Sequence, residues 1–387
     1  MNTLLNPPQN SHIYGRQIAL FAAFVLPIYK MLELPSLLAQ FAGGDLLLPA
    51  FLQFLSQFAV LLGVLYTVSR SDKPLFARLE EQLGKGIYLF YSVYALFFLF
   101  VAILPLLDLE KFVYAVFYDT SPTSFAFAFF FFLSAFLCMR GVKTLGRFGD
   151  LSLFLFVIPF AVLIIMSVFE ADVTSLLPLF ERKFGDTMYA IKYTAPHFAD
   201  VALLLPLLGN MSYQKGDAKK ISIGYGVGAL CSLLFLAIFY GLFSSVAPRV
   251  HYAFAKIAQY FPPLAVVGRI DLIFVYLLCA VLFVYVATPL QYASNFSARL
   301  LPIRHKTLIS LAINVGAFFF VLFCNKYYNS IYSFFGRYGF IFYTLLGNIL
   351  PSSLALFFLG GNNKAHKDDT DNAATPIKTT KKEKAHV

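Results

Sequence analysis

The chain has 387 residues, of which 59% are hydrophobic and 13% are charged. Soluble domains carry about 25% charged residues, so the composition excludes an ordinary soluble protein. The formal net charge of +10 at pH 7 does not require nucleic acid as a partner, because the basic residues fall in loops and in the C-terminal tail.

Long apolar runs predict ten membrane-spanning helices. Runs such as FLQFLSQFAVLLGVLYTV approach the roughly 20 residues that cross a bilayer, and they lack the alternation of membrane β-barrel strands. In chain order the predicted spans cover about residues 17–40, 46–68, 86–107, 122–140, 149–169, 195–210, 221–245, 270–290, 307–325 and 338–360. The fold class predicted is therefore an all-α integral membrane protein.

The basic residues between spans predict the orientation of the chain. They cluster on one side, together with Arg16 and the lysines of the tail, whereas the loop after the third span carries Asp108, Glu110 and Asp119 against Lys111. The positive-inside rule then places both termini in the cytoplasm. Residues 361–387 are polar and basic, so we expect a disordered cytoplasmic tail after a membrane domain that covers residues 1–360.

Two segments on the predicted outer side are long. Residues 170–194 and 246–269 mix aromatic, apolar and charged residues, a pattern that favours short amphipathic helices at the membrane interface. A surface for a partner protein is the alternative interpretation.

The first span, FVLPIYKMLELPSLLAQ, holds a charge in its middle. Lys30 lies there with Glu33 three residues further on, close enough on a helix to be its partner. Pro27 and Pro35 each remove a backbone donor, so we expect the helix to break at residues 27–30 and to line a cavity. A structural Lys30–Glu33 pair and a snorkelling lysine are the alternatives.

The sixth predicted span is interrupted in a similar way. The sequence KYTAPHFADVALLLPLLGN is short and contains Pro196, His197, Asp200 and Pro206. Breaks at corresponding positions of two halves indicate a transporter built from inverted repeats, here of five spans each over about residues 15–170 and 195–360. The ligand is then expected between spans one and six.

Three stretches of the sequence carry a resemblance to a known family. The first is GRQIALFAAFVLPIYKMLELPSLLAQFAGGD, the second begins at RFGDLSLF and ends at ADVTSLLPLF, and the third is GRIDLIFVYL. In this order they resemble the spore germination permease family, over roughly residues 11–305. The matching positions are Gly15, Arg16, Gln17, Leu34, Pro35, Ser36, Ala39, Gly43, Asp45, Arg147, Asp150, Asp172, Leu176, Leu177, Pro178, Arg269, Asp271, Ile273 and Phe274.

The resemblance implies a fold, a function and partners. Members are the permease-like membrane subunit of nutrient germinant receptors in endospores, within the amino acid/polyamine/organocation transporter superfamily. The implied fold is the LeuT-type inverted repeat. The implied partners are a larger membrane subunit and a lipoprotein subunit, and the implied location is the bacterial cytoplasmic or spore inner membrane.

The predicted ligand-binding residues lie mainly at the two breaks. They are Pro27, Ile28, Tyr29, Lys30, Glu33, Pro196, His197, Phe198 and Asp200, with Tyr91 and Tyr94 of span three as possible cavity residues. Amides at the start of a half-helix suit a substrate carboxylate. Lys30 would be a fixed cation or a proton carrier, with Glu33 and Asp200 as candidate partners.

Two functions follow as hypotheses. One is a receptor subunit that binds a small nutrient, such as an amino acid, and signals germination through partner subunits. The other is a proton-coupled secondary transporter of amino acids or related amines. The sequence contains no HExxH, GxSxG, P-loop or GxGxxG motif, so we expect neither an enzyme nor a cofactor.

Overall fold

A computed structural model describes residues 13–70, 73–117, 123–177, 181–260, 271–301 and 306–358. The described residues form helices joined by short turns, with one isolated bridge between Ile13 and Met211. The predicted tail, Pro178 and Arg269 lie outside these ranges. In chain order the α-helices are α1 (Gly15–Leu20), α2 (Leu26–Lys30), α3 (Leu34–Ala42), α4 (Leu47–Ser69), α5 (Leu75–Leu83), α6 (Ile87–Phe117), α7 (Thr123–Arg140), α8 (Val142–Val168), α9 (Phe184–Thr194), α10 (Asp200–Gly209), α11 (Asp217–Phe243), α12 (Ala253–Tyr260), α13 (Asp271–Leu300), α14 (Lys306–Asn325), α15 (Tyr328–Phe334) and α16 (Phe340–Phe342), and a last helical segment covers residues 350–358.

Seven helical stretches in the described part of the chain are long and apolar enough to cross a membrane. They are Leu34–Ser69, Leu75–Val116, Val142–Val168, Asp217–Arg249, Leu272–Leu300, Lys306–Asn325 and Tyr328–Phe358, and Phe127–Arg140 is a shorter apolar helix. The all-helical membrane fold is confirmed. The total of ten spans stays a prediction, because the first and sixth predicted spans are divided into short pieces.

The first span is broken, but four residues later than the sequence predicts. Residues 15–30 are continuous helix through α1, a π-helical turn (Phe21–Val25) and α2, and the break follows at residues 31–33. Pro27 lies just after the π-helical turn, inside this continuous helix, whereas Pro35 lies in the first turn of α3, where a missing N–H does no harm. Pro35 therefore sets the break, since it cannot donate to the carbonyl four residues earlier.

The sixth span breaks where the sequence predicts. Helix α9 ends in a 3-10 turn (Ala195–His197), Phe198 and Ala199 are not helical, and α10 begins at Asp200. Pro196 stands at the start of the 3-10 turn, where its fixed φ is tolerated. The last span is also irregular, with π-helical segments Phe335–Gly339 and Tyr343–Ile349 of the kind often found near functional sites.

Helix α11 lies against the first span through two of its glycines. A Cβ at Gly224 would meet the backbone of Ala19, and one at Gly228 would lie 2.6 Å from the Ala22 carbonyl oxygen. Small residues allow helix backbones to approach closely in membranes. This contact fixes the first broken span beside the rest of the bundle.

Candidate functional site

The two breaks meet at a buried ion pair. Nζ of Lys30 lies 2.5 Å from Oδ1 of Asp200, and each side chain is 1% exposed. The same ammonium lies 3.5 Å from the carbonyl oxygen of Leu26. Asp200, one of the two partners that the sequence suggests, is therefore the residue that pairs with Lys30.

The backbone at both breaks supports these charges. Lys30 is the last residue of α2, and Asp200 is the first residue of α10. A cation is stabilised at a helix C-terminus and an anion at a helix N-terminus. The pair thus occupies the two half-helix ends where we expected the charged groups of a substrate.

The remaining contacts of the pair come from aromatic residues. Tyr225 donates to Oδ2 of Asp200 at 3.0 Å, so both carboxylate oxygens have partners. The Lys30 ammonium lies 5.2 Å from the ring centroid of Phe198 and 5.6 Å from that of Phe54. Cation–π attraction adds to the ion pair in such a site.

A stack of three rings lies next to the pair. Tyr29 stacks on both His197 and Tyr285. Its ring centroid lies 5.1 Å from the centroid of each of these rings, and the interplanar angle is 10° with His197 and 18° with Tyr285. Neither ring nitrogen of His197 has a hydrogen-bond partner among the described residues, although the Thr194 backbone is near the ring. A buried imidazole with unused donor and acceptor capacity is suited to a polar ligand.

The middle ring of the stack, Tyr29, is hydrogen-bonded to a carboxylate that was predicted to lie in a loop. The Tyr29 hydroxyl donates to Oδ2 of Asp108 at 2.7 Å, and the Tyr328 hydroxyl donates to Oδ1 at 2.9 Å. Helix α6 runs on to Phe117, whereas span three was predicted to end at residue 107, so Asp108 is in a helix and fully buried.

Glu33, the other candidate partner of Lys30, does not pair with it. The break separates the two residues, so the three-residue helical spacing that would join them is lost. Oε2 of Glu33 instead lies 3.1 Å from Nδ1 of His251. Glu33 is buried and His251 is exposed.

The segment that carries His251 covers the break of the first span. The amides of Ala253 and Phe254 donate to the carbonyls of Leu32 and Met31 at 2.9 and 3.2 Å. These amides open α12, one of the short helices expected at the outer interface. The carbonyls that the break leaves without an intrahelical donor thus accept from amides that have no intrahelical acceptor at the start of α12.

We expect the His251–Glu33 contact to stabilise the protein more at low pH. Hydrogen bonding to Glu33 raises the pKa of His251 above its ordinary value, and the charges of Glu33 and Asp108 act in the same direction. The stabilisation is therefore complete below the ordinary histidine pKa of about 6.5 and is lost as the pH rises through the raised value.

The difference in melting temperature between wild type and His251→Gln measures this contribution. Glutamine keeps a hydrogen-bond donor but does not titrate, so the difference should be larger at about pH 5.5 than at about pH 8.5. An equal difference at both pH values would show that the charge on His251 plays no part.

The structure does not place Tyr91 and Tyr94 at the breaks. Tyr91 accepts a 2.8 Å hydrogen bond from Nη1 of Arg299 and donates to Glu80. Tyr94 packs on Phe90, Phe97, Phe98 and Phe296. Of the other predicted residues, Tyr29, Lys30, His197, Phe198 and Asp200 come together.

Several residues of the site were not singled out in the sequence. Six residues reach it from six other segments: Phe54, Asp108, Tyr225, His251, Tyr285 and Tyr328. Only Asp108 carried a usable signal, because it directly follows an apolar run that ends in ILPLL. The others are ordinary aromatic residues in a chain with 23 tyrosines and 46 phenylalanines.

The fold, with its two broken helices, is of the LeuT-like class. A crystal structure of a mutant of the Eremococcus coleocola manganese transporter is similar, at 14% sequence identity and a TM-score of 0.51, over 91% of this chain and 78% of that one. That level of identity supports the fold alone. Within the described residues no group of three His, Cys, Asp or Glu side chains could hold a metal ion.

The sequence identifies the family. A model of the spore permease family, described as spore germination protein, matches residues 51–330. The chain belongs to this family and is a multi-pass membrane protein of the permease type. The curated proteins include no match.

Proposed function

We propose that the chain is the permease-like subunit of a spore nutrient germinant receptor. It binds a small nutrient between broken spans one and six and passes the signal to a larger membrane subunit and a lipoprotein subunit. Membership of the spore germination permease family supports the role.

The main support for this proposal is that the two breaks lie next to each other and are joined by buried polar groups. Lys30 and Asp200 join the half-helix ends, and neither nitrogen of the His197 ring next to them makes a hydrogen bond of normal geometry in the described part of the chain, although the Thr194 backbone lies near the ring. Buried polar atoms are almost always satisfied in native proteins. A ligand that supplied the missing hydrogen-bond partner would be held between both breaks. Its contacts would then change whenever the two half-helices move relative to each other.

The binding site is tested with a nutrient panel scored by the melting temperature of the purified protein. A ligand at a hundred times its Kd stabilises a folded protein by about 2.7 kcal/mol. His197→Phe keeps a ring to stack on Tyr29 but removes both nitrogens, so it should weaken binding about tenfold or more. Tyr94→Phe is the matched control, because it also removes an unpartnered buried polar atom, away from the breaks.

A proton-coupled transporter is the second candidate, favoured by the buried Lys30 and its ionisable partner. Uptake into proteoliposomes separates the two functions. A receptor subunit binds the nutrient without accumulating it, whereas a transporter accumulates it when an inward proton gradient is applied. Accumulation that collapses with the gradient would contradict the receptor proposal.

A further inference from the structure

Helix α4 is bonded to the sixth span on both sides of its break. Gln53 donates from Nε2 to Oγ1 of Thr194, the last residue of α9, at 2.9 Å. One turn further along α4, Oε1 of Gln57 accepts from the amide of Val201, in the first turn of α10, at 3.1 Å. Residues four apart lie on the same face of a helix, so one face of α4 binds the chain before and after the break.

The same face of α4 packs on the break itself. The ring centroid of Phe54 lies 5.0 Å from that of Phe198, at an interplanar angle of 73°. The amide of Val201 is one of the first four of α10, which have no acceptor within their own helix. Gln57 is buried and supplies the acceptor that a capping side chain would otherwise provide.

Gln57 also binds the last span. Its Nε2 donates to Oδ1 of Asn348 at 2.6 Å, and Asn348 lies in the π-helical segment Tyr343–Ile349. A backbone amide can only donate, so the oxygen of Gln57 must face Val201 and its nitrogen must face Asn348. One buried side chain thus joins the start of α10 to the last span.

The last span also contacts the chain on the other side of the break. A Cβ at Gly339 would lie 3.1 Å from Cγ of Pro196, and one at Gly336 would meet the ring of Tyr193. Both glycines belong to the π-helical segment Phe335–Gly339. One π-helical segment therefore lies against the chain that enters the break, and the other is bonded through Gln57 to the helix that leaves it.

These contacts make the shape of the last span depend on the break. A change in the angle between α9 and α10 moves the two π-helical segments relative to each other, and only the three α-helical residues Phe340–Phe342 separate them. Helices bend at π-helical turns, which are also frequent at functional sites. The side chains of Ile341, Leu345 and Ile349 are more than half exposed, so a bend there alters the surface of the bundle.

We propose that Gln57 and Asn348 transmit the state of the sixth-span break to the last span, whose bending carries the signal of nutrient binding to the surface of the subunit. This inference rests on the proposed function, since it names how the same site signals. Gln57 is a positioning residue, because it acts on the site through Val201. Asn348 belongs to the signal path and not to the nutrient site.

The test separates nutrient binding from the germination response. Each of the twenty standard amino acids is titrated against the full chain in lipid nanodiscs, with the melting temperature as the readout, and the one that binds most tightly is used on spores. Asn348→Leu removes the acceptor of Gln57 but leaves the bond from Val201, so the Kd should stay within about twofold of wild type. The concentration for half-maximal germination should rise about tenfold or more.

Thr67→Val is the matched control for Asn348→Leu. Oγ1 of Thr67 bonds to the carbonyl oxygen of Gly63 in its own helix and, at 3.4 Å, to that of Ala355. This variant therefore also removes a side-chain hydrogen bond between α4 and the last span, but away from the break, and both its Kd and its germination response should match wild type. Asn348→Gln keeps an amide oxygen as acceptor and should restore part of the response.

Hydrogen exchange of the wild-type chain gives a second test that needs no variant. The amino acid that binds most tightly should change the exchange rates of backbone amides in residues 335–349 as well as in residues 195–203 around the break, because the two regions move together. A change confined to the breaks would overturn the inference, and this measurement decides if Asn348→Leu does not fold.

Failure of the inference is distinguishable from failure of the proposed function. If Asn348→Leu germinates as wild type does, or loses binding and response in parallel, the inference is overturned and the proposed function stands. The same holds if Thr67→Val impairs germination as much as Asn348→Leu. If none of the twenty amino acids stabilises the wild type, both are overturned.

Discussion

Lys30→Met is expected to destabilise the protein by about 3–5 kcal/mol, the usual cost of removing one member of a buried ion pair. The substitution leaves the Asp200 carboxylate buried with Tyr225 as its remaining side-chain donor. Asp200→Asn should have a similar effect, because it leaves the Lys30 ammonium between two phenylalanine rings.

The double variant Lys30→Met/Asp200→Asn should be closer to wild type than either single variant. A buried ion pair that is replaced as a whole by neutral groups leaves no uncompensated charge. Unfolding of the four proteins in detergent gives the coupling energy directly.

The exposed pair of Lys73 and Glu81, 2.7 Å apart, serves as the control for this cycle. Lys73→Met should cost less than about 1 kcal/mol, since solvent screens the charges of an exposed pair. Additive effects of the Lys30 and Asp200 substitutions would contradict the contact between the two breaks.

The second large effect is expected at the contact between α11 and the first span. Gly224→Ala adds a methyl group that would overlap the backbone of Ala19, and backbone atoms cannot rotate aside as a side chain does. Overpacking of this kind costs about 1–3 kcal/mol. Adding Gly228→Ala should increase the loss, because its Cβ would meet the Ala22 carbonyl oxygen.

The matched control is Gly226→Ala on the same helix, where an added Cβ meets nothing within 4 Å. Alanine is favoured over glycine inside a helix by about 0.5–1 kcal/mol, so this variant should be as stable as wild type or slightly more so. Unfolding in detergent measures all three variants. Equal stability of Gly224→Ala and Gly226→Ala would contradict the close approach of α11 to α1.

The sequence was informative about the breaks because proline and charge act locally. Pro35 removes one helical hydrogen bond wherever the rest of the chain lies, and a lysine in an apolar span needs a partner. The break itself was placed too early, at residues 27–30, because the chain stays helical through Pro27 after the π-helical turn.

The partners of the charged residues depend on tertiary structure and could not be predicted in full. Helical spacing made Glu33 a candidate partner of Lys30, but its partner His251 lies 218 residues away. Asp108 was missed because an apolar run ends before it, although the helix continues. Hydropathy gives the location of a span well, but it does not show whether a carboxylate at its end faces water or the protein interior.

Binding of a nutrient at the two breaks should be the event that triggers germination. The most direct measurement is the nutrient concentration that gives half-maximal germination, in spores whose own copy is replaced by wild type, His197→Phe or Tyr94→Phe. We expect a concentration at least tenfold higher for His197→Phe and an unchanged one for Tyr94→Phe. An unchanged response of His197→Phe spores, or normal germination of spores that lack the chain, would contradict it.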